Sequence, residues 1–484
     1  MKILSKILSI LMLAVIVVAC SDDTDFSTDT NHRLIFSTDT IRFDTLFTTL
    51  SSSRDGAVVY NFNDKDLRIL SVELEGGSSS SFNVMVDGQY GTTMRDLEVR
   101  SGDSLYVFVN VTPELNGSDV PLFLSDRLVF TLESGVQQAI VLEAHSRDAV
   151  FMHAVTVNSD SVIKRGHYVV YDSLVVAPGV TLTVEPSTIL YFHDKVPMVV
   201  RGTLAATGAQ DAPIVLRGDR TDRIFSYLPY DRLPGQWGGV SFASTSNGNV
   251  LEYCDIHSAN YGIKIEQGDE SALRLTMNAS RLQNFYGNAL ETVQAQVDVT
   301  NTLIANAGGN CVKVVGGRVN FTHCTIANFF VFKSRDVALS LYNYDGLEDA
   351  PLHSARFLNC IITGSREDEV MGYFQPQDKA VPGSENIYFE NSLLNTIVPE
   401  GDERFVNVLV DAAATPPFAS EHFAFINHDI YYYDFHLTEG STARSLGSDA
   451  VLSSDMFKHD KDGNPREPGS VDVGCYQYAV PATE

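Results

Sequence analysis

Three groups of side chains in this 484-residue chain have residue types that could do chemistry. The first is a set of outward-facing acids, Glu252, Asp255 and Asp298, with Lys264 and Arg281 near them in sequence. Closely spaced carboxylates can protonate a leaving group and activate water, and carboxylates that hold Ca²⁺ can act beside a base on a uronate. These acids fall at different positions of the repeat described below, so we interpret them as scattered and predict no catalytic residues.

The second group is aromatic. Tyr431, Tyr432 and Tyr433 stand in a row, followed by Asp434 and Phe435, with three histidines nearby. Aromatic faces suit stacking on sugar rings. The alternative is that this run caps the second domain and buries its last apolar layer.

We therefore name five candidate ligand-binding residues: Tyr431, Tyr432, Tyr433, Glu252 and Lys264.

The third group, Asp460–Gly463, has alternating oxygen ligands but lacks the distal Glu of an EF-hand. We interpret it as a turn, with a Ca²⁺ loop as the alternative and no other cofactor expected.

A repeat organises the chain from residue 251 onward. Each copy places a small residue, which we call the anchor, between apolar positions three residues before it and two residues after it. Successive anchors are 26, 22, 22, 36 and 32 residues apart. The anchors are Cys254, Ser280, Thr302, Cys324, Cys360 and Ser392. Four residues after the three central anchors stand Asn284, Asn306 and Asn328.

Matched positions keep the same kind of residue from copy to copy, while the number of residues between copies varies. This is typical of a parallel β-helix, in which each coil buries its apolar side against its neighbours. The three asparagines would hydrogen-bond from coil to coil. A propeller needs a repeat near about 40 residues, which the two 22-residue spacings disfavour. A stack of sandwiches is the other alternative.

The segments Leu174–Val184 and Met198–Gly208, with Pro and Gly at their corners, extend this pattern upstream. They resemble the opening coils of right-handed parallel β-helix repeat proteins from secreted bacterial glycan-active and surface families. Asp460–Arg466 with Val471–Tyr476 resembles the terminal motif of such proteins, although Cys475 stands where they usually have Ala. The resemblance covers about residues 150–478. It implies architecture but no activity, because this fold carries lyases, hydrolases and non-enzymatic proteins alike.

Three anchors are cysteines in one inward column. Rungs of a parallel ladder are about 4.8 Å apart with side chains pointing the same way, whereas a disulfide needs converging side chains. No CxxC pair is present to suggest a metal site. We therefore predict buried free thiols.

Residues 32–148 contain short β-rich runs broken by Gly, Asp, Asn and Ser, as in an Ig-like β-sandwich. Their order resembles the Ig-like family first described in abnormal-spindle and hydin proteins, through Val59–Asn61, Leu67–Val72 and Gly102–Leu105. We expect a spacer, or alternatively a module that binds a partner through a sheet edge. The runs are Ile41–Phe43, Val58–Phe62, Leu67–Leu74, Phe82–Val86, Leu105–Val111, Leu128–Leu132 and Ala139–Ala144.

The N-terminus reads as an export signal. Lys2 and Lys6 precede a short apolar run, and small residues lead to Cys20. A Cys in this place resembles the lipobox of bacterial lipoproteins, which implies cleavage after residue 19 and lipidation of Cys20. The alternative is a plain signal peptide with an incidental Cys. Ser21–Asp25 resembles the surface-export signal of some Gram-negative lipoproteins, which implies an outer-membrane protein facing the cell exterior.

The composition limits the partners. The chain has 34 bases against 61 acids, a net charge of −27, which repels nucleic-acid phosphates. The polar, acidic residues 20–31 predict a tether. The sequence therefore predicts an all-β protein: an Ig-like sandwich, then a right-handed single-stranded parallel β-helix over residues 149–484 with a C-terminal cap.

We expect this protein to bind glycan or another surface macromolecule without catalysis. The alternative is a polysaccharide lyase or glycoside hydrolase on the same scaffold.

Overall fold

A computed structural model of the chain describes residues 25–118, 120–346, 348–374, 385–411 and 420–480. The signal segment and Cys20 lie outside the described residues. The chain divides into two compact units, Met1–Asp148 and Ala149–Glu484. Both are built from β-strands. No helix in the described part of the chain is long and apolar enough to cross a bilayer.

The first unit has two five-stranded sheets that share one hydrophobic core. One sheet has the order β1-β3-β8-β5-β6 and the other β2-β10-β9-β4-β7, antiparallel except where β2 lies parallel to β10. In β8 the buried valines alternate with exposed Tyr106 and Phe108, as one-sided burial requires. The strands are β1 (Ile35–Phe36), β2 (Thr40–Phe47), β3 (Asp55–Tyr60), β4 (Leu67–Leu74), β5 (Phe82–Val86), β6 (Gln89–Gly91), β7 (Thr93–Val99), β8 (Ser104–Val111), β9 (Leu122–Leu132) and β10 (Gln137–Arg147).

Each predicted run in this unit overlaps a strand, but the sequence interpretation missed β1, β6 and β7. In β7 the period of two breaks at Arg95 and Asp96, which are both exposed. Asp96 has a φ of +55°, a left-handed conformation. A pattern search for alternating apolar residues passes over such a strand.

The second unit winds through three parallel sheets, which we call A, B and C in the order that a coil visits them. Its strands are β11 (Val150–Val157), β12 (Ser161–Ile163), β13 (Gly166–Val176), β14 (Thr181–Val184), β15 (Thr188–Phe192), β16 (Pro197–Val200), β17 (Thr203–Thr207), β18 (Ile214–Gly218), β19 (Arg223–Phe225), β20 (Leu228–Pro229), β21 (Gly239–Phe242), β22 (Asn249–Glu252), β23 (Cys254–His257), β24 (Ile263–Ile265), β25 (Leu273–Asn278), β26 (Arg281–Phe285), β27 (Leu290–Thr300), β28 (Leu303–Ala307), β29 (Val312–Thr322), β30 (Thr325–Asn328), β31 (Leu339–Tyr342), β32 (Tyr344–Asp345), β33 (Glu348–Asp349), β34 (Leu352–Leu358), β35 (Ile361–Gly364), β36 (Val370–Tyr373), β37 (Glu385–Glu390), β38 (Leu393–Leu394), β39 (Phe405–Val406), β40 (Leu409–Val410), β41 (Phe423–Asn427) and β42 (Tyr432–Leu437). Short 3₁₀ helices span Gly77–Ser79 in the first unit and Tyr230–Arg232, Ser420–His422, Asp449–Ser453 and Asp455–Phe457 in the second.

Sheet A stacks β12, β14, β17, β22, β25, the C-terminal parts of β27 and β29, β34, β37 and β39. Sheet B stacks the N-terminal parts of β11 and β13, then β15, β18, β23, β26, β28, β30, β35, β38 and β40. Sheet C stacks the C-terminal parts of β11 and β13, β16, β21, β24, the N-terminal parts of β27 and β29, β31 and β36. Every one of these pairs is parallel, and the chain returns to each sheet once per coil. This is the connectivity of a parallel β-helix.

Apolar side chains fill the inside of the coils. A ladder of rings on sheet A joins Phe321, Phe357, Phe389 and Phe405, with centroids 5.0, 5.0 and 5.1 Å apart. The spacing follows that of stacked strands. The two middle rings, Phe357 and Phe389, are therefore covered on both sides by another phenylalanine ring.

The six anchors lie buried at the corner between sheets A and B. The hydroxyl of one coil accepts a backbone hydrogen bond from the previous coil: Cys254 N donates to Ser280 Oγ (3.0 Å) and Cys360 N to Ser392 Oγ (3.1 Å). Cys254, Cys311, Cys324, Cys360 and Cys475 are buried free thiols. The predicted asparagine ladder forms in part: Asn306 Nδ2 donates to Asn284 Oδ1 (3.4 Å), whereas Asn328 Nδ2 donates to the backbone carbonyl of Ala307 (3.0 Å).

The residue before each anchor adopts a left-handed conformation, with φ between +46° and +54°. It makes the sharp bend from sheet A to sheet B. This feature was absent from the sequence interpretation because the residue type varies from coil to coil. The six residues are Tyr253, Ala279, Asn301, His323, Asn359 and Asn391.

The C-terminal segment, residues 420–480, packs along the outer face of sheet B instead of across the end of the coil. Phe423, Phe435 and Val473 share a core with Leu303 and Ile361, which project from successive coils on that face. Phe435 of the aromatic run is buried here while Tyr432 is exposed, and the segment lies along the side of the coil instead of at its end. We call this segment the lateral cover.

Candidate functional site

The outward positions of sheet B change character along the coils. The position directly after the anchor holds Asp255 and Arg281 in the first two copies, but Leu303 and Ile361 further on. The apolar positions lie under the lateral cover. The charged ones lie where the cover ends, and a cavity opens there.

A long insertion between β18 and β21 forms one wall of this cavity. Trp237, the only tryptophan in the chain, returns the insertion to the coil. Its ring is fully buried, stacks on Phe192 at 4.4 Å, and donates from Nε1 to the carbonyl of His257 (2.8 Å). This attachment places Asp231 and Arg232 above sheet B.

His257 lies between two carboxylates and is only 5% exposed. Its Nδ1 donates to Asp255 Oδ1 (3.0 Å) and its Nε2 to Asp231 Oδ1 (2.7 Å). Arg281 Nε also donates to Asp255 (2.8 Å), and Arg217 pairs with Asp231 (3.0 Å). The network therefore fixes the insertion to two consecutive coils.

The pKa values follow from this geometry. Burial disfavours the charged imidazole, but Asp255 and Asp231 outweigh it and raise the pKa of His257 to about 9. Burial likewise opposes ionisation of Asp231, yet His257 and Arg217 lower its pKa to about 2. Despite burial, Arg281 and His257 hold the pKa of Asp255 well below its usual range. At neutral pH all these groups are charged.

The cavity has a volume of about 240 Å³, and we call it the tyrosine cavity. Its far wall is the hairpin of the lateral cover, where Arg232 Nη1 donates to the carbonyl of Ile430 (3.2 Å) and lies over the Tyr432 ring at 4.8 Å. The lining residues are Asp231, Arg232, His257, Arg281, Gln283, Asn284, Tyr431, Tyr432 and Tyr433.

The three tyrosines differ in what they offer. The Tyr431 ring stacks on Phe332 at 4.4 Å, and the Tyr432 ring is 45% exposed. Tyr433 is more deeply set, and its hydroxyl donates to the carbonyl of Phe329 (3.4 Å). Burial and then the nearby Tyr431 raise the pKa of Tyr433 above its ordinary value. Tyr431 and Tyr432 therefore present ring surface, while Tyr433 holds the hairpin in place.

Gln283 projects from β26 into the same cavity. It is 7% exposed, and its side-chain amide has no hydrogen-bond partner among the residues that the structure describes. Neither amide atom is among the fully buried polar atoms without a partner, so the amide is open to the cavity, where water or a ligand can satisfy it.

A second cavity of about 210 Å³ lies on the other side of the Asp255–Arg281 pair. Tyr253, Lys461 and Tyr476 contribute to its lining. The two cavities thus share Arg281 as a common wall.

Like His257, His436 lies between two carboxylates. It is hydrogen-bonded to Asp434 (2.5 Å) and Asp462 (2.8 Å) beside this second cavity. Those two hydrogen bonds, opposed by burial, raise the pKa of His436 to about 9.

Of the five predicted ligand-binding residues, the structure brings Tyr431, Tyr432 and Tyr433 together in one cavity. Glu252 lies on sheet A, where its Oε1 accepts from Asn278 (3.0 Å), and Lys264 is exposed on sheet C. These two do not line the tyrosine cavity.

The acids Glu252, Asp255 and Asp298 do stand at different positions of the repeat, but the sequence interpretation did not pair Asp255 with Arg281. Asp255 pairs directly with Arg281, because they occupy the same position in consecutive coils. His257, Gln283, Asp231 and Arg232 were missed as site residues. The first two stand three residues after their anchors, so reading that column of the repeat would have found them; no sequence signal pointed to the insertion.

The loop at Asp460 is a turn. Its carboxylate accepts from the backbone of Asp462 (2.9 Å), Asn464 (2.7 Å) and Gln477 (2.8 Å). Within the described ranges, no group of three or more His, Cys, Asp or Glu side chains is arranged to hold a metal ion.

No known family model matches the chain, and no curated protein does. Two solved structures share limited similarity with it. A family 123 glycoside hydrolase from Clostridium perfringens is 9% identical over 24% of this chain and 26% of its own, with a TM-score of 0.18. The ASH/PapD-like domain 7 of human CEP192 is 12% identical over 26% of this chain and 92% of its own, with a TM-score of 0.17. The chain thus matches about a quarter of the hydrolase, and neither similarity carries a functional argument.

Proposed function

We propose that this protein is a lipid-anchored surface protein that binds glycan in the tyrosine cavity. The observation that carries the proposal is the combination, in one cavity, of exposed aromatic rings with amide and guanidinium donors. Sugar rings present apolar faces for stacking and hydroxyls for hydrogen bonds. Tyr432, Gln283 and Arg232 supply both kinds of contact from three different elements.

The size of the cavity indicates how much of a glycan it encloses. At about 240 Å³, it is smaller than the roughly 300–1,000 Å³ of pockets that enclose drug-sized ligands. We infer that it takes one ring of a chain. Neighbouring units would extend over the exposed Phe332 and Phe425, which flank Tyr431 and Tyr432.

Binding without hydrolysis fits the state of the carboxylates. A general acid needs a raised pKa to carry its proton at neutral pH. Asp231 and Asp255 instead have lowered pKa values and are already paired with His257 and arginines. We therefore place the lyase or hydrolase activity second, and incubation of the protein with glycans followed by product analysis tests it.

The remaining parts of the proposal concern how the protein is held and built. We propose lipidation at Cys20, the outer face of the outer membrane as location, and an Ig-like spacer in the first unit. We also infer a right-handed coil, since crossover connections between parallel strands are right-handed in almost all proteins.

A glycan array probed with the detergent-solubilised full chain tests the binding. We expect retention of a subset of oligosaccharides and loss of that signal in Tyr432→Ala. Tyr388→Ala is the matched control, because Tyr388 is 41% exposed on sheet A, far from the cavity in the coil. A silent array, or equal loss in both variants, would contradict the proposal.

Anchoring is tested separately in cells of the source bacterium. We expect a fatty-acid label on the wild-type chain and none on Cys20→Ser. Protease treatment of intact cells should remove the protein. Full protection until lysis would place it inside the cell envelope and refute surface display.

A further inference from the structure

The tyrosine cavity carries a surplus of positive charge in an acidic protein. Arg217, Arg281 and the protonated His257 face Asp231 and Asp255, which leaves one positive charge in the network. Arg232 adds a second. The whole chain, by contrast, has a net charge of −27. A local reversal of sign in a cavity concentrates anions there.

Arg232 is the cation best placed to meet a ligand. Its recorded hydrogen bonds go to the backbone carbonyls of Tyr227 and Ile430, and no carboxylate among the described residues pairs with it. One face of its guanidinium lies on Tyr432. Since an arginine has five N–H donors in a fixed fork, donors remain for an anionic partner.

Gln283 is a second, independent indication. Its nearly buried amide faces the cavity and lacks a protein partner within the described part of the chain. The Nε2 group can donate to an anionic oxygen at the same place where Arg232 and Arg281 line the cavity. Neither Asp231 nor Asp255 competes for it, because both are held by His257 and the arginines.

We propose that the sugar unit enclosed by the tyrosine cavity is anionic, with its carboxylate or sulfate ester held by Arg232 and Gln283. The aromatic surface of Tyr432 would meet the ring of the same unit. This inference rests on the proposed glycan binding and names the class of sugar.

The experiment compares an acidic oligosaccharide with its carboxyl-reduced, neutral counterpart, each titrated into the full chain by calorimetry. The third arm uses an oligosaccharide whose only charge is a sulfate ester. It distinguishes binding of a sulfate ester from binding of a carboxylate. Hydrogen bonds to charged groups are worth more than neutral ones. We expect the reduced ligand to bind about tenfold more weakly or worse.

Gln283→Glu is the decisive variant, because it keeps the shape of the side chain and adds a negative charge inside the cavity. We expect it to weaken binding of the anionic ligand at least about tenfold more than binding of a neutral ligand, because the added charge repels only the anion. Gln137→Glu, an exposed position in the first unit, adds the same charge elsewhere and should change nothing. Near-ultraviolet circular dichroism of Gln283→Glu checks that it folds.

The outcomes separate the two proposals. If neutral glycans bind as well as acidic ones, or if Gln283→Glu leaves the acidic ligand unaffected, the anionic specificity is refuted while glycan binding stands. If no glycan of any charge binds the wild-type chain, glycan binding itself fails.

Discussion

Replacement of His257 by Gln should make the stability of the second unit less dependent on pH. The imidazole bridges Asp255 and Asp231, and it is almost completely buried. Gln can still hydrogen-bond to one of these carboxylates but cannot become positively charged. The substitution therefore removes the charge and keeps part of the hydrogen bonding.

The magnitude follows from the pKa of His257, which lies at about 9 in the folded protein against about 6.5 in an unfolded chain. Each pH unit between these values is worth about 1.4 kcal/mol. Because the folded-state pKa is the higher one, the stabilisation is complete below about pH 6.5 and is lost as the pH rises through 9. We expect about 3 kcal/mol of stabilisation at pH 6 that is gone by about pH 10.

Trp237 provides the assay, because this single tryptophan is buried and bonded to the His257 carbonyl. Urea unfolding followed by its fluorescence should give a larger free energy for wild type than for His257→Gln at pH 6. At pH 10 the two should be nearly equal. His436 has a similarly raised pKa and titrates over the same range in both proteins. The difference between their free energies of unfolding therefore reports on His257 alone.

His153→Gln serves as the control, since this histidine of the same unit is 64% exposed. It should keep the pH dependence of wild type. If His257→Gln and wild type differ by the same free energy at pH 6 and pH 10, the assignment of a stabilising charge to His257 is wrong. A difference in the free energy of unfolding that grows with rising pH would also refute this assignment.

Substitutions at three positions test the construction of the coil by urea unfolding, with Trp237 fluorescence as readout. Phe357→Ala removes the middle of the stacked ring ladder, between rings 5.0 Å away on both sides, and should cost about 3–5 kcal/mol. A loss below 1 kcal/mol would mean that the ladder is not tightly packed. Thr302→Val removes a buried hydroxyl that accepts from the Ser280 backbone at 3.3 Å and donates to the Thr300 carbonyl at 2.7 Å. It should lower the free energy of unfolding by about 1–3 kcal/mol. An unchanged stability would contradict the role of the anchor hydroxyl. Asn306 has a φ of +58°, so Asn306→Gly should be less destabilising than Asn306→Ala by about 1 kcal/mol, and the reverse order would refute the left-handed strain.

The columns of the repeat predicted the inside of the second unit well. An anchor such as Cys324 and its apolar neighbour Ile326 recur because every coil faces the same environment above and below. Position within the repeat therefore determines whether a side chain points inward. The bend before each anchor could not be read in the same way, since residues as different as His323 and Asn359 adopt it.

The candidate site was only partly predictable. Tyr431, Tyr432 and Tyr433 were recognised by residue type. Their neighbours come from segments roughly 150–200 residues away in sequence, such as Arg232 and Arg281. Nothing local in the sequence indicates that the lateral cover folds back along sheet B, because that contact depends on the whole coil being formed first.

The outward columns nevertheless explain why the cavity lies where it does. Covering charged side chains costs desolvation energy even when they are paired, whereas covering apolar side chains is favourable. The cover accordingly packs over Leu303 and Ile361 and gives way to open space at Asp255 and Arg281. The cavity thus forms at a boundary that the repeat itself sets, with one wall from the coil and one from the cover. A ligand there must touch both walls, so its binding should stabilise the docking of the cover on the coil.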